Sequence, residues 1–299
     1  MQIDATTILP TFAEAFDMKY VRLIVTAQDR TWLEAAVHAS TGYACSVIAC
    51  DAEAGVEAWL TPEQTPDQRP GVSLLFFGMS TDGLGKAIVK RVGQCLMTCP
   101  TTAVYDGLPD AERRSPLGAP LRYFGDGFQK SKRLGKQRYW RVPVMDGEFI
   151  VVDAVGVAAG VAGGNVILQG PDATVVLAAA REAVQRIAAV PGVITPFPGG
   201  VARSGSKVGS RYPKLIASTN EAYCPTLIGR VPSDLLPGAV AAYEVVIDGV
   251  DRTSVAEATK VAIQAAIEFQ IQGVTAGNYG GKLGKHHFHL QEIASELVP

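Results

Sequence analysis

A rhythm written twice constrains this chain most: short β-branched runs alternate with amphipathic helical stretches in each half. In the first half, residues 19–27 (KYVRLIVTA) read as a strand by β-branched content. Thr31-Trp32-Leu33-Glu34 has the form of a capping box, in which hydroxyl and carboxylate each satisfy an orphan amide. The helix it opens carries Trp32, Ala35, Ala36 and Ala39 on one face and ends at Gly42. Strands are expected near residues 45–50 and 72–77. Leu84, Ile88, Val92 and Cys95 recur at helical spacing, predicting a second helix over about residues 84–97. Residues 102–105 close a βαββαβ set.

Residues 110–136 are richer in charge, Pro and Gly, and read as loops around a boundary. The rhythm then resumes. Residues 165–169 form a strand, and Asp172 caps a helix with Val176, Ala180, Val184 and Ile187 on one face, stopped by Pro191. From 193 the chain is extended, then Pro/Gly-rich; residues 243–247 are a strand. Ser254-Val255-Ala256-Glu257 is another capping box whose helix ends near Gly273, and short strands follow. Cys99-Pro100-Thr101 recurs as Cys224-Pro225-Thr226, a small echo between the halves. The expected fold is α+β: two ferredoxin-like α/β-sandwich lobes, 1–146 and 147–299, each a mainly antiparallel sheet covered by two helices.

Composition narrows the function. Hydrophobic residues are 47% and charged residues 19%, enough for a sizeable core. Lys+Arg 27 against Asp+Glu 29 leaves a net charge of −2, which argues against a nucleic-acid protein. No apolar run reaches the ~18 residues of a membrane helix. The opening MQIDATTILP lacks a basic region before an apolar block, so no secretory signal is expected and the cytoplasm is the expected compartment. Five cysteines, sparse and odd in number, are not a disulfide framework.

The short motifs are weak. In 200–207 (GVARSGSK), Ser206 separates the second glycine from Lys207, so the phosphate-binding loop pattern is broken. His287 and His289 share a strand face, yet no matching ligand spacing completes a metal site, and a polar terminal strand is the plainer reading. Cys95 and Cys99 are helix-spaced and could join Cys45 and Cys50 at a metal, but Cys95 falls on the apolar stripe. There is no G-x-S-x-G elbow, and His38 has no triad partner nearby. Glu244 stands inside an apolar strand, sharing a face with Ala242 and Val246 opposite Tyr243, Val245 and Ile247. If its face is buried its pKa rises; if solvated, it is an ordinary surface residue.

Longer words carry more. Residues 193–200 (VITPFPGG) with 204–209 (SGSKVG), 93–95 (GQC), 98–102 (TCPTT), 124–127 (FGDG), 160–165 (GVAGGN), Tyr243-Glu244 with 247–251 (IDGVD), and 275–285 (TAGNYGGKLGK) resemble the formylmethanofuran:tetrahydromethanopterin formyltransferase family. So do 11–16 (TFAEAF), 45–48 (CSVI) and 52–55 (AEAG). The matches run in order along nearly the whole chain.

The resemblance implies reversible formyl transfer between methanofuran, a furfurylamine carrier, and tetrahydromethanopterin, a reduced pterin, both as substrates. It implies no prosthetic group and no metal. It implies a homodimer or homotetramer with methanofuran in a cleft at the dimer interface, and no nucleic-acid or membrane partner. The family's key carboxylate, held buried and protonated, corresponds to Glu244. In methylotrophic bacteria such a chain resembles the formyltransferase subunit of a formyltransferase/hydrolase complex, so hydrolase subunits are expected partners; the Ala-rich, mildly acidic composition leans to that branch. The cleft is expected to be lined by Pro196, Phe197, Pro198, Gly199, Gly200, Ser204, Gly205, Ser206 and Lys207, by Cys224, Pro225 and Thr226, and by Gly277, Asn278, Tyr279, Gly280, Gly281 and Lys282. Glycines there let backbone approach a ligand closely, and Lys207 or Lys282 would meet acidic carrier tails. Two other readings stay open: a non-catalytic scaffold subunit that kept the cleft, and a nucleotide enzyme, which predicts stabilisation by ATP with magnesium.

Overall fold

The computed structural model describes residues 1–298. Two compact units emerge: Met18–Gly160, and Met1–Asp17 together with the chain from Val161 onward. The first elements are β1 (Gln2–Ile3), β2 (Thr6–Ile8), β3 (Phe12–Thr26), α1 (Arg30–Thr41), β4 (Glu53–Leu60), β5 (Gly71–Gly78), α2 (Thr81–Arg91) and β6 (Ala103–Asp106). Then come β7 (Arg113–Pro116), α3 (Gly118–Leu121), β8 (Lys130–Leu134), β9 (Gln137–Val144), β10 (Gly147–Val152), β11 (Ala154–Gly170), α4 (Ala173–Ile187) and β12 (Val193–Ile194). The last are β13 (Lys207–Val208), β14 (Ala217–Ser218), β15 (Ala241–Gly249), α5 (Arg252–Glu268), β16 (Gly273–Thr275), β17 (His286–His289) and α6 (Leu290–Ser295).

Within Met18–Gly160 the sheet runs β4-β5-β3-β6, with every neighbour antiparallel. Counting the strands of the βαββαβ set from one to four, the order is 4-1-3-2, the ferredoxin-like arrangement. Beyond β6 lies β10 in parallel, then β9 and β8 in antiparallel. Leu33, Ala36 and Val37 of α1 and Leu84, Ala87 and Ile88 of α2 form one core with Val21, Leu23, Val25, Leu74 and Phe76 of the sheet.

The other unit repeats the plan with β11, α4, β12, β15, α5 and β16. Its order is β16-β11-β15-β12, again antiparallel throughout and again 4-1-3-2. Alanines 179, 180 and 183 of α4 and 258, 262 and 266 of α5 are fully buried with Val166, Leu168, Val245 and Ile247. Small side chains let both helices lie close to the sheet. The second strand, β12, has only two residues, and a long excursion over residues 195–240 replaces the tight hairpin that would join it to β15. No described helix is long and apolar enough to cross a membrane.

The two compact units do not meet at a single point of the chain. The division falls inside β3 and inside β11, because β2 pairs in parallel with β16 (Thr7 opposite Gly273) and the start of β3 pairs with β17 (Ala15 opposite His286). Several local expectations shift for physical reasons. Asp29, not Thr31, caps α1, accepting from the Trp32 amide; the buried face is therefore Leu33, Ala36, Val37 and Ser40, with Trp32 exposed. Asp251 caps α5, and Ser254 supplies the third position of that box rather than opening one of its own. Residues 45–50 form turns instead of a strand, pinned by the buried Arg91, which donates to the Ser40 and Tyr43 carbonyls and to Asp51. The helix α2 ends in a π-turn over Val92–Leu96, which advances the register so that Leu96 is fully buried and Cys95 only half-buried. Residues 110–136 hold β7, α3 and β8 rather than loops alone. Val184 of the α4 stripe is half-buried, and α5 stops at Glu268, short of Gly273. Asp172 caps α4 as expected, accepting from Thr174 and Val175.

Candidate active site

Alternation along β15 sends Val245 and Ile247, both without exposure, into the core under α4 and α5. Glu244 projects to the opposite face with Ala242 and Val246, all half-buried. That face is neither core nor open solvent, because the 195–240 excursion folds back on it. Ala202 exchanges two backbone hydrogen bonds with Glu244, of 2.7 and 3.1 Å, so the excursion starts as an extra bridge on β15. Gly205, at φ +53°, then turns beside the carboxyl: a Cβ there would lie 4.0 Å from Glu244 Oε2 and 3.1 Å from the Asn220 Cβ. Burial alone pushes the Glu244 pKa up to about 7, as expected for a carboxyl without charged or hydrogen-bonded partners.

Two phenols complete the surroundings. Burial raises the pKa of Tyr223; the Thr275 hydroxyl works against it, and Asp234 and Glu244 add to it. Burial also raises that of Tyr279, with Glu244 and then Glu14 reinforcing it. Both are O–H donors at neutral pH, within electrostatic reach of a carboxyl that is itself partly protonated there. Neutral O–H donors near such a carboxyl suit an acceptor that gains negative charge during a reaction.

Tyr279 sits on a loop built from inside. Asn165 on β11 brackets Gly277, donating to its carbonyl at 3.1 Å and accepting from its amide at 2.6 Å. Asn278 donates to Thr11 Oγ1 and the Phe12 carbonyl. The buried carboxylate of Glu14, on β3, accepts from the amides of Tyr279 and Gly281 on one oxygen and of Leu283 and Gly284 on the other, at 2.5–2.9 Å. Burial opposes its charge, and the four amides outweigh that and hold its pKa below the ordinary value. Most backbone donors of this Gly-rich loop are thus occupied internally. What the loop presents outward is side chains, including the half-buried Tyr279 and the exposed Lys282.

Two family models match the chain on either side of residue 145. One, described as formylmethanofuran-tetrahydromethanopterin formyltransferase, covers residues 1–144, and one described as "FTR, proximal lobe" covers residues 147–293. The chain belongs to the formylmethanofuran-tetrahydromethanopterin formyltransferase family. A curated relative of that name from Rhodopirellula baltica is 51% identical over 313 residues, spanning 99% of this chain and 94% of the relative. The crystal structure of the formyltransferase/hydrolase complex from Methylorubrum extorquens in complex with methylofuran contains a chain 47% identical, with a TM-score of 0.94 over 98% of both chains. The formylmethanofuran:tetrahydromethanopterin formyltransferase from Methanosarcina barkeri is 41% identical, with a TM-score of 0.92 over 98% of this chain and 100% of that one.

In this formyltransferase the remaining expected residues fall into distinct settings. Gly205 adjoins Glu244, and Tyr279 lies within electrostatic reach of it. Pro196 and Gly200 are buried; Gly200, at φ +77°, packs against Val184 and makes a tight structural turn after Phe197 and Pro198, while Gly199 is open. Ser204 and Ser206 are exposed, and Lys207 pairs with Glu221. Cys224 lies 3.6 Å from Thr219 Oγ1 and donates to the Asn220 carbonyl, with Pro225 and Thr226 in the turn that follows. Gly280 is open, and a Cβ on Gly281 would meet His287. His287 and His289 stack on Phe12 and His286 contacts Asp17. No group of three or more His, Cys, Asp or Glu among the described residues has the geometry of a metal site.

Sequence reasoning passes over Glu14, Asn165, Asn220 and Tyr223. Only Glu14 leaves a signal, an acid amid the apolar residues of TFAEAF.

In the unit Met18–Gly160 a separate cleft of about 550 Å³ is lined by Gln28, Arg69, Cys99, Thr101, Asp146 and Glu148 among others. Thr101 is held there at φ +65° by the Gln28 amide, Asp146 and Arg69, so the first copy of the Cys-Pro-Thr echo borders this cleft.

Proposed function

We propose that the chain transfers a formyl group reversibly between a tetrahydromethanopterin-type and a methanofuran-type carrier, with Glu244 as the catalytic acid. The observation that carries this is the carboxyl of Glu244, desolvated to a pKa of about 7 beside Gly205 and within electrostatic reach of two half-buried phenols, in a chain of this family.

The chemistry needs little else from the protein. An amine nitrogen of the accepting carrier attacks the formyl carbon, a new C–N bond forms, and the carbonyl π pair moves onto oxygen. The protonated Glu244 donates a hydrogen bond to that oxyanion, the position where one donor is worth about 2.7–4 kcal/mol. Collapse re-forms the carbonyl and breaks the other C–N bond; the same carboxyl gives a proton to the departing nitrogen and regains one lost by the attacking nitrogen. The nucleophile belongs to the substrate, so a serine or cysteine is not needed.

The carriers act as substrates that come and go, without a prosthetic group. The Methylorubrum relative's place in a formyltransferase/hydrolase complex with methylofuran supports a methylofuran-type carrier, hydrolase subunits as partners and the bacterial branch. A homodimer or homotetramer working in the cytoplasm completes the reading. The 4-1-3-2 order found twice supports halves 1–146 and 147–299 as copies of one unit.

The test is formyl transfer by the purified chain with both carriers. Glu244→Ala should lose roughly 10²–10³-fold in kcat. Glu244→Gln should keep part of the rate if the acid only donates a hydrogen bond, and should fall nearly as far as Ala if it also delivers the proton. A folded Glu244→Ala variant with near-normal kcat at saturating carriers overturns the assignment.

A further inference from the structure

We propose that Glu14 is a positioning residue: as a carboxylate it fixes the turn over residues 279–284 and thereby holds Tyr279 beside Glu244. The inference rests on the formyl-transfer reading for its purpose, and on geometry alone for its mechanism.

Gly280 and Gly281 adopt φ +70° and +71°, which tips successive amides of the turn toward one point. Such a concavity is an anion site, of the kind that elsewhere takes a phosphate. Here the anion is the chain's own. Glu14 is 1% exposed and its two oxygens take the amides of residues 279, 281, 283 and 284. The first of these bonds, 2.7 Å long, belongs to Tyr279 itself. By strand alternation Phe12, Glu14 and Phe16 share a face of β3. Phe16 meets the Tyr279 ring at 6.2 Å, and the Phe12 carbonyl holds Asn278. One short stretch of β3 therefore grips Tyr279 by its backbone, its ring and its preceding neighbour.

Charge and shape are both needed. A glutamine has the same size but one acceptor oxygen, and its NH2 would face two amide donors across a buried contact. Those amides would turn away, and the turn with them. An aspartate keeps four lone-pair sites on a shorter arm. If the Tyr279 ring shields Glu244, displacing it readmits water to a carboxyl whose pKa burial raises.

The experiment compares the full-length chain with its Glu14→Gln and Glu14→Asp variants. Amide hydrogen exchange should accelerate at least tenfold at residues 279, 281, 283 and 284 in Glu14→Gln, with the β11 and β15 amides unchanged. The Glu244 carboxyl, followed by carbon-13 NMR across pH, should titrate at lower pH in Glu14→Gln. The kcat for formyl transfer should fall about 10²-fold, the scale of a displaced catalytic group. Glu14→Asp should recover part of all three. Unchanged exchange at the four amides overturns the clamp. An unmoved Glu244 titration, or exchange that accelerates evenly through the unit, leaves Glu14 a general stabiliser and overturns the positioning role. A wild-type chain inactive with both carriers would sink the functional reading alone, since exchange and titration are read without turnover.

Discussion

Replacing Glu244 by glutamine should make the protein more stable, increasingly so as pH rises from about 4.5 through 7. The carboxyl has an ordinary pKa of 4.5 when unfolded and about 7 when folded, raised by burial. Between those values the folded state binds a proton that the unfolded state has released. Stability therefore falls as pH rises through this window, and above pH 7 the fold carries a buried charge. At about 1.4 kcal/mol per unit, the full penalty is about 3.5 kcal/mol, reached near pH 8. Glutamine has the same shape and never ionises. Thermal unfolding of both proteins, at one concentration, should show their midpoints diverging by roughly 6–12 °C between pH 4.5 and pH 8.5. Glutamine should be the higher at pH 8.5. The activity of the native enzyme should decline over the same interval, because the ionised carboxylate repels an oxyanion. Parallel stability curves across that range would refute the argument, since they would mean Glu244 keeps its water in the folded state.

Other perturbations have equally direct readings. Gly200→Ala places a methyl 2.4 Å from the Val184 Cγ1 at a backbone angle of +77°, and should cost about 1–3 kcal/mol, read as a lower midpoint in urea. Asp251→Ala removes the acceptor for the Ser254 amide and should cost about 1 kcal/mol in the same titration. Asn165→Ala leaves both polar groups of Gly277 unpaired; about 1–3 kcal/mol of stability should go, with faster exchange at that amide.

How far the fold was legible depended on how local its causes are. The α4 stripe and its Asp172 cap are written within sixteen residues, and both were readable. The α2 stripe was readable until the π-turn, whose extra residue per turn no sequence period announces, so Cys95 took the place that belongs to Leu96. Capping signals overlap: an Asp two or three residues upstream outcompeted Thr31 and Ser254 because its carboxylate reaches the same amides. The first half of β11, rich in Ala and Gly, carries no β-branched run and shows as a strand only through its partners. Glu244 was visible as an acid in an apolar strand, yet its alternation left buried and solvated faces equally open. What decided the matter was Ala202 and Gly205, some forty residues earlier. Glu14 was the hardest to see, since every group that explains it lies 265 to 270 residues away.

That separation also sets an order of events during synthesis. Glu14 leaves the ribosome 265 to 270 residues ahead of its four amides. At ordinary elongation rates the interval is on the order of tens of seconds. Met18–Gly160 has all its strands long before then and is free to fold. Meanwhile Ala13, Ala15 and the anionic Glu14 between them wait without their β17 partner. A nascent chain thus carries one unit with all its strands and a Glu14 still without the amides that hold it. The Glu14 clamp closes only once residue 284 has been made and the two distant segments meet.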